Sequence, residues 1–287
     1  MLASRTSSDG ELAKLRLQVE NLEQEKRALA QQLERVETER VEYLQNVSHQ
    51  LVAPLNAIKW HIENLTSARV GVERGMKVLR SVYSQATLAV HLAKNFSLMS
   101  NLEADHALTA LKEPLQEVEL CRLLVNLADD FQPLAWDRDI QIRVKHEGFD
   151  SAPAVLEMRP LISQVFSNII ENAVKYSNNN TIIRIEGRHE ADHDCVAVSV
   201  RNQGIQLDKS DYVKVFERGF RSPEARNKYP AGTGFGLYIA KRIVDLHEGN
   251  ITTEAGPDGW VTFCVRLSVR ALAGRARGRD QKEHIAR

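Results

Sequence analysis

The sequence predicts an α+β protein, in which an N-terminal coiled coil leads into a dimeric antiparallel four-helix bundle and then into an α/β sandwich. Two observations carry this prediction. Apolar residues recur at alternating spacings of three and four early in the chain, which is the heptad pattern of coiled coils. After Ala104, short β-like runs alternate with helical patterns, which is typical of helices packed on a mixed sheet. A chain of 287 residues has room for both parts.

The composition narrows the possible functions. The 38 basic and 38 acidic residues cancel, so we expect no nucleic-acid partner. The three cysteines lie far apart and match no metal-binding spacing. No apolar run approaches the roughly 18 residues of a membrane-spanning helix, so we expect no direct membrane insertion. These features predict a cytoplasmic protein, or the cytosolic part of a larger one.

The first part of the chain predicts a dimer. Residues 1–10 are polar and we expect them to be disordered, whereas residues 11–40 have the pattern of a coiled-coil signalling helix. Only Lys26 and Arg40 interrupt its register. A seam of this kind is buried only against a second copy, which favours a homodimer. The seam consists of Leu12, Leu15, Val19, Leu22, Leu29, Leu33, Val36, Tyr43 and Val47.

Residues 41–104 predict a helical hairpin. Its first helix runs to about Thr66, a turn with two glycines lies near 69–75, and a second helix covers about 76–101. Two hairpins, one from each protomer, would form the four-helix bundle.

His49 lies in the first helix of this hairpin, five residues before Pro54. A proline inside a helix removes one backbone hydrogen bond and bends the axis. His49 falls outside the a and d positions of the heptads, so we expect its imidazole to face solvent. Most lone histidines on helices are ordinary surface or core residues, so this position gains meaning only from the rest of the chain.

Residues 105–269 predict the sandwich, and residues 270–287, rich in arginine, predict a disordered tail. Helical patterns cover 117–135, 159–176 and 235–247. The predicted strands are Ala107–Leu111, Ile140–Lys145, Thr181–Arg188, Cys195–Arg201, Asn250–Glu254 and Val261–Val269.

Three motifs of this second part are candidates for chemistry. In the helix over 159–176, one polar face carries Asn168, Asn172, Lys175 and Tyr176. Asparagines on a buried face need partners, which a Mg²⁺ ion and nucleotide phosphates would supply, although an ordinary polar helix face is an equal alternative for this motif alone.

The second motif is a strand that ends in Asn202 and Gly204, where the Asn202 amide oxygen could accept from an exocyclic amine. A plain turn is its simpler interpretation. The third motif runs from Gly232 through Thr233, Gly234 and Gly236 to Leu237 at the start of a helix. Glycines let backbone N–H groups approach an anion at a helix N-terminus. The polar segment 217–231 between these motifs is long enough to be a lid.

In this order, and with Val215–Arg221 between the second and third, the motifs resemble the ATP-binding domain of sensor histidine kinases. The preceding hairpin resembles their dimerisation and phosphotransfer domain. The resemblance covers about residues 40–269, and implies ATP and Mg²⁺ as cofactors and the receiver domain of a response regulator as a partner.

The resemblance also implies roles for individual residues. His49 would be the phosphoacceptor with Gln50 beside it, and Asn172 would be a Mg²⁺ ligand with Asn168 close to the ion. Phosphates would be contacted by Lys175, Tyr176, Arg221 and the loop of Gly232, Thr233, Gly234, Gly236 and Leu237, and adenine by Asn202 next to Gly204.

The chain departs from the family pattern at several of these positions. Gln50 stands where the family has an acid, and an amide cannot accept the imidazole proton, so we expect reduced autophosphorylation. Ala53 replaces the threonine or asparagine that aligns a water molecule, which predicts weak phosphatase activity. Asn202 replaces an aspartate and Gln206 a glycine, which predicts modest ATP affinity.

Other interpretations stay open. A degenerate kinase that acts as a nucleotide-binding dimeric scaffold would fit the departures, and another ATPase of the same nucleotide fold would fit the three motifs. His189 and His193 match a zinc-protease pattern, but that chemistry needs a helix, and this segment reads as a hairpin loop between two strands.

Overall fold

A computed structural model describes residues 3–67, 71–103, 114–150, 152–230, 232–256 and 258–269. The chain divides into two units, Met1–Ser48 and His49–Arg287. The helices within the described residues include none that could span a membrane. The predicted strand at 107–111 and the predicted tail at 270–287 lie outside the described residues.

Helix α1 (Ala3–Ser67) contains the predicted coiled-coil segment. The disorder expected for residues 1–10 is wrong for residues 3–10, because this polar segment contains no proline and continues the helical hydrogen bonding. Its seam is open in the single chain, since Val19, Leu22, Leu29, Leu33 and Val36 are between 48% and 70% exposed. Aliphatic side chains contribute to stability only when they are removed from water, so this exposed seam contributes nothing to the stability of the single chain.

Helix α2 (Val72–Glu103) is longer than predicted, since it begins before Met76. Gly75, which was expected in the turn, is helical, and its N–H donates to the carbonyl of Gly71 at 2.9 Å. One glycine costs a helix only about 1 kcal/mol, which tertiary packing outweighs.

The second unit contains a five-stranded sheet with helices on one face. In chain order, the α-helices and strands that follow α2 are β1 (Gln116–Val118), α3 (Leu120–Ala135), β2 (Gln141–Lys145), β3 (Val155–Glu157), α4 (Arg159–Tyr176), β4 (Ile182–Glu190), β5 (Cys195–Gln203), α5 (Pro223–Lys228), α6 (Gly236–Leu246), β6 (Asn250–Ala255) and β7 (Trp260–Ser268). The strand order is β2-β4-β5-β7-β6, with β2 and β4 parallel and the other pairs antiparallel.

The core lies between the sheet and helices α3, α4 and α6. Strand β4 alternates buried and open positions, and its Ile183 and Ile185 are fully buried. Ile162 and Ile169 of α4 and Ile243 of α6 are also fully buried. This alternation confirms the predicted α+β class, because a sheet with one covered face buries every second residue.

Three short elements are absent from the sequence prediction. Strands β1 and β3 pair antiparallel with each other, Gln116 opposite Glu157, although they lie far apart in the chain. As a result α3 begins at Leu120 rather than at 117. Helix α5 lies inside the predicted lid segment, where Ser222 caps it by accepting from the N–H of Ala225.

Candidate nucleotide-binding site

One cavity collects most of the predicted site residues. It is bounded by α4, by the end of β5, by the lid segment and by the glycine loop before α6. Its lining includes Gln50, Asn172, Lys175, Tyr176, Asn202, Arg221, Gly232, Thr233, Gly234, Gly236 and Leu237. Three of the predicted residues, His49, Asn168 and Gly204, do not line it.

His49 and Gln50 stand next to each other on α1, but only Gln50 lines the cavity. His49 is exposed, as its place outside the heptad seam predicts. The predicted phosphoacceptor is thus the sequence neighbour of a cavity-lining residue, and its imidazole is accessible to solvent and to other molecules.

Asn172 and Lys175 differ in whether their side chains have partners within the protein. Asn172 lines the cavity, and its amide has no hydrogen-bond partner among the described residues. The ammonium of Lys175 lies 2.6 Å from Oε1 of Glu171. Burial lowers the pKa of Lys175, but the charge and hydrogen bond of Glu171 outweigh this effect and leave the pKa raised. Lys175 therefore stays a cation at the cavity wall.

Asn168 lies behind the glycine loop rather than at the cavity wall. It is 1% exposed, and a Cβ atom added to Gly236 would lie 3.4 Å from its Oδ1. That oxygen accepts a hydrogen bond from Nδ2 of Asn95 on α2 at 2.8 Å. The helix α2 thus reaches the asparagine face of α4, a contact that the sequence reasoning missed.

A cation that the sequence reasoning missed, Arg138, lies at the C-terminal end of α4. Arg138 donates to the carbonyls of Val174 at 2.8 Å and Lys175 at 3.2 Å, and also to that of Ser177. A cation at a helix C-terminus satisfies free carbonyl groups and complements the helix dipole. This contact holds the end of α4 that carries Lys175.

Lys228, in the lid helix α5, donates to the carbonyls of Tyr176 at 3.0 Å and Ser177 at 2.9 Å. The rings of Tyr176 and Tyr229 meet edge to face, 6.2 Å between centroids. One end of the lid therefore rests on the end of α4.

Arg221 lines the cavity, but its guanidinium organises the lid. It donates to the carbonyls of Ala225 at 2.8 Å, Pro230 at 3.0 Å and Gly232 at 2.8 Å, and also to that of Tyr229. Its expected contact with phosphate stays a prediction, because its two terminal nitrogens already donate to four backbone carbonyls in this arrangement. Its Nε is buried and has no hydrogen-bond partner among the described residues.

The glycine loop is tightly built. Gly234 has φ +73°, and a Cβ atom there would lie 2.7 Å from the carbonyl carbon of Gly219. A side chain at Gly232 would meet the guanidinium carbon of Arg221 at 2.8 Å. The loop needs glycine at Gly234, where φ is positive and the lid backbone fills the space, whereas a side chain at Gly232 would displace the Arg221 guanidinium.

Asn202 is 4% exposed and lines the cavity near the end of β5. Gly204 follows it, and a Cβ atom there would lie 2.0 Å from the carbonyl oxygen of Tyr176. The same carbonyl accepts from the N–H of Ile205 at 3.2 Å. Gly204 is thus required for the close approach of β5 to α4, and its expected contact with the ligand stays a prediction.

A second face of the cavity comes from β7. Val261 and Phe263, together with Val215, line the cavity with apolar side chains. A cavity lined by apolar side chains as well as by amide groups and cations suits a ligand with a flat ring and an anionic tail. No cluster of three or more metal-ligating acids, histidines or cysteines occurs in the part of the chain that the structure describes. Of the zinc-protease pattern, His189 lies in β4 and His193 lies in the short 3-10 turn that follows, so neither is on an α-helix.

The amino-acid sequence matches a known family over this unit. Residues 157–271 match the histidine kinase-, DNA gyrase B- and HSP90-like ATPase family. The chain therefore carries an ATPase domain of this family.

Longer relatives extend the match to the helices before it. The chain is 27% identical over 232 residues to the histidine protein kinase SaeS of Staphylococcus epidermidis, covering 80% of this chain and 63% of the relative. It is 30% identical to the sensor protein CzcS of Cupriavidus metallidurans, over 81% of this chain and 46% of the relative. The phosphate regulon sensor protein PhoR of Pseudomonas aeruginosa is also 30% identical, over 83% and 52% of the two chains.

Among solved structures, full-length ShkA in complex with AMPPNP covers 79% of this chain, with a TM-score of 0.52 and 21% identity. The chain corresponds to 45% of that structure, and this likeness supports the fold. The relatives named above are a histidine protein kinase and two sensor proteins. The chain spans between about half and two thirds of the length of the curated relatives that it matches.

Proposed function

We propose that the protein is an ATP-dependent histidine kinase of a two-component system, which phosphorylates its own His49 and passes the phosphoryl group to an aspartate of a response regulator. The observation that carries the proposal is the single cavity lined by the asparagine helix, the Asn202 strand, the glycine loop and Gln50. These motifs lie apart in the sequence, and a shared ligand would give them a common purpose.

In this proposal the cavity binds ATP. The apolar side chains of β7 and the Asn202 amide hold adenine, and the N–H groups of the glycine loop face the phosphates. Lys175 adds positive charge. The donor set also fits Mg²⁺, because the Asn172 amide oxygen has no hydrogen-bond partner among the described residues, and Mg²⁺ usually binds to one or two protein oxygens together with substrate phosphates. A bound Mg²⁺ would neutralise charge that develops on the phosphates.

The transfer step uses the exposed imidazole of His49. A ring nitrogen forms a bond to the γ-phosphorus, the bond from that phosphorus to the β–γ bridging oxygen breaks, and ADP leaves. The imidazole loses its proton to solvent, because the Gln50 amide beside it cannot accept one. The step therefore relies on positioning more than on a general base.

The proposal includes a homodimer. The open seam of α1 supports it, since five of its aliphatic residues are at least 48% exposed in the single chain. Replacing Leu22 and Leu29 by lysine is expected to convert the dimer to a monomer in light scattering, whereas replacing the outer residues Glu23 and Arg27 by alanine is not. We also propose a cytoplasmic location, as the cytosolic part of a larger sensor, with a receiver domain as the partner.

The decisive experiment is labelling with γ-labelled ATP and Mg²⁺. We expect acid-labile label that is lost in His49→Ala and kept in His61→Ala, a second histidine of the same helix. Nucleotide binding without label would instead favour the degenerate kinase, and release of phosphate without self-labelling would favour another ATPase of this fold.

A further inference from the structure

The face of the sheet opposite helices α3, α4 and α6 presents a row of three arginines. Side chains alternate along a strand, so Arg184 points away from the core that Ile183 and Ile185 of β4 fill. In the register of the sheet, Arg184 lies directly opposite Arg143 of β2 on one side and Arg201 of β5 on the other. Three neighbouring strands, about 4.8 Å apart, thus carry three arginines side by side.

Two of these arginines converge on one tryptophan. The guanidinium carbon of Arg184 lies 5.0 Å from the ring centroid of Trp260 on β7, and that of Arg201 lies 5.2 Å from it. Arg184 and Arg143 are exposed, whereas Arg201 and Trp260 are half-buried. Contact with an aromatic ring restricts the orientation of a guanidinium group and leaves its N–H groups for a ligand. The row is therefore partly ordered before any partner binds.

The three arginines have no acidic partner among the residues that the structure describes. The guanidinium groups of Arg184 and Arg201 have only their contacts with Trp260, and that of Arg143 donates to Oε1 of Gln141 at 2.7 Å. Like charges directly opposite each other on neighbouring strands destabilise a sheet. The row thus carries a cost that nothing in the described part of the chain offsets.

The acids of the same sheet face are engaged elsewhere or lie apart from the row. Glu186 lies 2.7 Å from Lys145, and Glu190 pairs with two arginines outside the row. Glu254 of β6 lies in line with the row, but Thr262 of β7 stands between them. An anionic group from outside the sheet would therefore find the three arginines unneutralised.

We propose that the arginine row, Arg143, Arg184 and Arg201 together with Trp260, is a docking surface for a protein partner that presents a row of carboxylates. Arginine binds a carboxylate through two parallel N–H groups, and arginine and tryptophan are enriched among the residues that contribute most to protein interfaces. The acids around the row repel a continuous polyanion such as nucleic acid or an anionic membrane. Discrete carboxylates, placed to match the row, fit this pattern of charge.

This surface lies on the other side of the sheet from the nucleotide cavity. Asn202 and Val261, which line the cavity, alternate with Arg201 and Trp260 along the same strands and therefore point to the opposite face. The inference does not rest on the proposed function, because docking here needs no bound nucleotide.

The test follows the three tryptophan indole N–H signals of the ¹⁵N-labelled full chain by NMR, while octaglutamate is added at low ionic strength. We expect the signal of Trp260, assigned with Trp260→Phe, to shift with octaglutamate and not with octaglutamine. Trp136 is a matched control, because Arg80 lies 5.0 Å from its ring without a row of arginines beside it. Its signal and that of Trp60 are expected to stay in place.

Variants separate the row from general charge attraction. Arg184→Gln is expected to raise the Kd from the Trp260 signal about five- to tenfold, because the central charge-assisted hydrogen bonds are lost. Arg143→Gln, on the edge strand, is a second variant with a loss in the same direction. Arg122→Gln removes the same charge from an exposed position of α3 and is expected to stay within about twofold of wild type.

Several outcomes overturn the inference. One is no shift at Trp260, and another is an equal shift of all three indole signals. Equal weakening by Arg184→Gln and Arg122→Gln would show charge attraction without a defined surface. Tighter binding of a DNA duplex or of phosphatidylserine vesicles than of octaglutamate, sensitive to Arg184→Gln, would assign the surface to another class of partner.

Discussion

Glu157 of β3 and His247, which directly follows α6, are both fully buried, and Oε2 of the acid lies 3.3 Å from Nε2 of the ring. Nδ1 of His247 lies 2.7 Å from the carbonyl of Ile243 and donates to it, which leaves Nε2 as an acceptor. Burial raises the pKa of Glu157 to about 8. The pair is therefore a neutral acid facing a neutral imidazole near neutral pH.

This pair predicts a pH dependence of stability. Because the folded pKa of Glu157 lies above its ordinary value of 4.5, the unfolded chain releases the proton first, and stability falls as the pH rises from about 4.5 to about 8. The slope is at most about 1.4 kcal/mol per pH unit. Burial lowers the pKa of His247, against the hydrogen bond to Ile243, so that residue costs stability as the pH falls below about 6.5.

The variant Glu157→Gln removes the first effect. We expect the variant to gain stability relative to wild type as the pH rises. The difference between their free energies of unfolding in urea titrations should shift in the variant's favour by on the order of 2 kcal/mol from pH 5.5 to pH 8.5. Glu186→Gln, at a partly exposed salt bridge on the sheet, is the control and should give a difference that is nearly independent of pH in this range. A parallel pH profile for Glu157→Gln and wild type would show that Glu157 is not buried as a neutral acid.

Gln50→Glu is expected to speed autophosphorylation. A carboxylate beside His49 could take the imidazole proton during transfer, and general-base assistance is typically worth ~10²–10⁴-fold. We expect at least about a tenfold higher initial rate of acid-labile labelling. Gln45→Glu adds the same charge at an exposed position of the same helix and should leave the rate unchanged. Equal rates in both variants would mean that proton removal does not limit the step.

Ala53→Thr is expected to raise phosphatase activity. A hydroxyl one helical turn beyond His49 can orient water towards the phosphorylated aspartate of a bound response regulator, which a methyl group cannot do. The measurement is the decay of a labelled receiver domain with the kinase present. Ala57→Thr, one further turn along, is the control, and the absence of any gain at position 53 would count against the expectation.

Gly204→Ala is expected to disrupt the site without touching a ligand. Its Cβ atom would lie 2.0 Å from the Tyr176 carbonyl, so β5 and the end of α4 must separate. We expect a loss of about 2–4 kcal/mol in the free energy of unfolding and weaker nucleotide binding. At Gly256 the added atom meets nothing closer than 3.8 Å, so Gly256→Ala is the matched control. Thermal unfolding of the two variants is the measurement.

Lys228→Met is expected to loosen the lid. The substitution removes the hydrogen bonds to the carbonyls of Tyr176 and Ser177 while keeping the length of the side chain. We expect faster protease cleavage within 217–230 and faster release of fluorescent nucleotide in stopped-flow experiments. Arg226→Met changes a cation of the same helix that has no side-chain partner among the described residues, and should behave as wild type. Unchanged cleavage and release in Lys228→Met would leave the lid contact without a function.

Much of the fold and the membership of the site could be predicted because they depend on local patterns. The period of the apolar residues determines the helix α1 and the alternation of β4, and the spacing of Asn172, Lys175 and Tyr176 places them on one face of α4. The sequence also pointed to the three motifs that the cavity joins. The sequence-based predictions of disorder at residues 3–10 and of a turn at Gly75 were wrong because both lie near helix ends, where local propensity is weak.

The roles of individual side chains depended on contacts between distant segments. Strands β1 and β3 exist only because they pair, and the sequence of neither three-residue run distinguishes it from a loop. Lys175 and Arg221 have the chemistry of phosphate contacts. Yet the Lys175 ammonium meets Glu171, and the terminal nitrogens of Arg221 meet three lid carbonyls and that of Gly232 in the glycine loop. The sequence by itself determined which residues are available. Only the tertiary structure decided that Asn95 holds the Asn168 oxygen, because a hydrogen bond between two helices is set by packing and not by spacing along the chain.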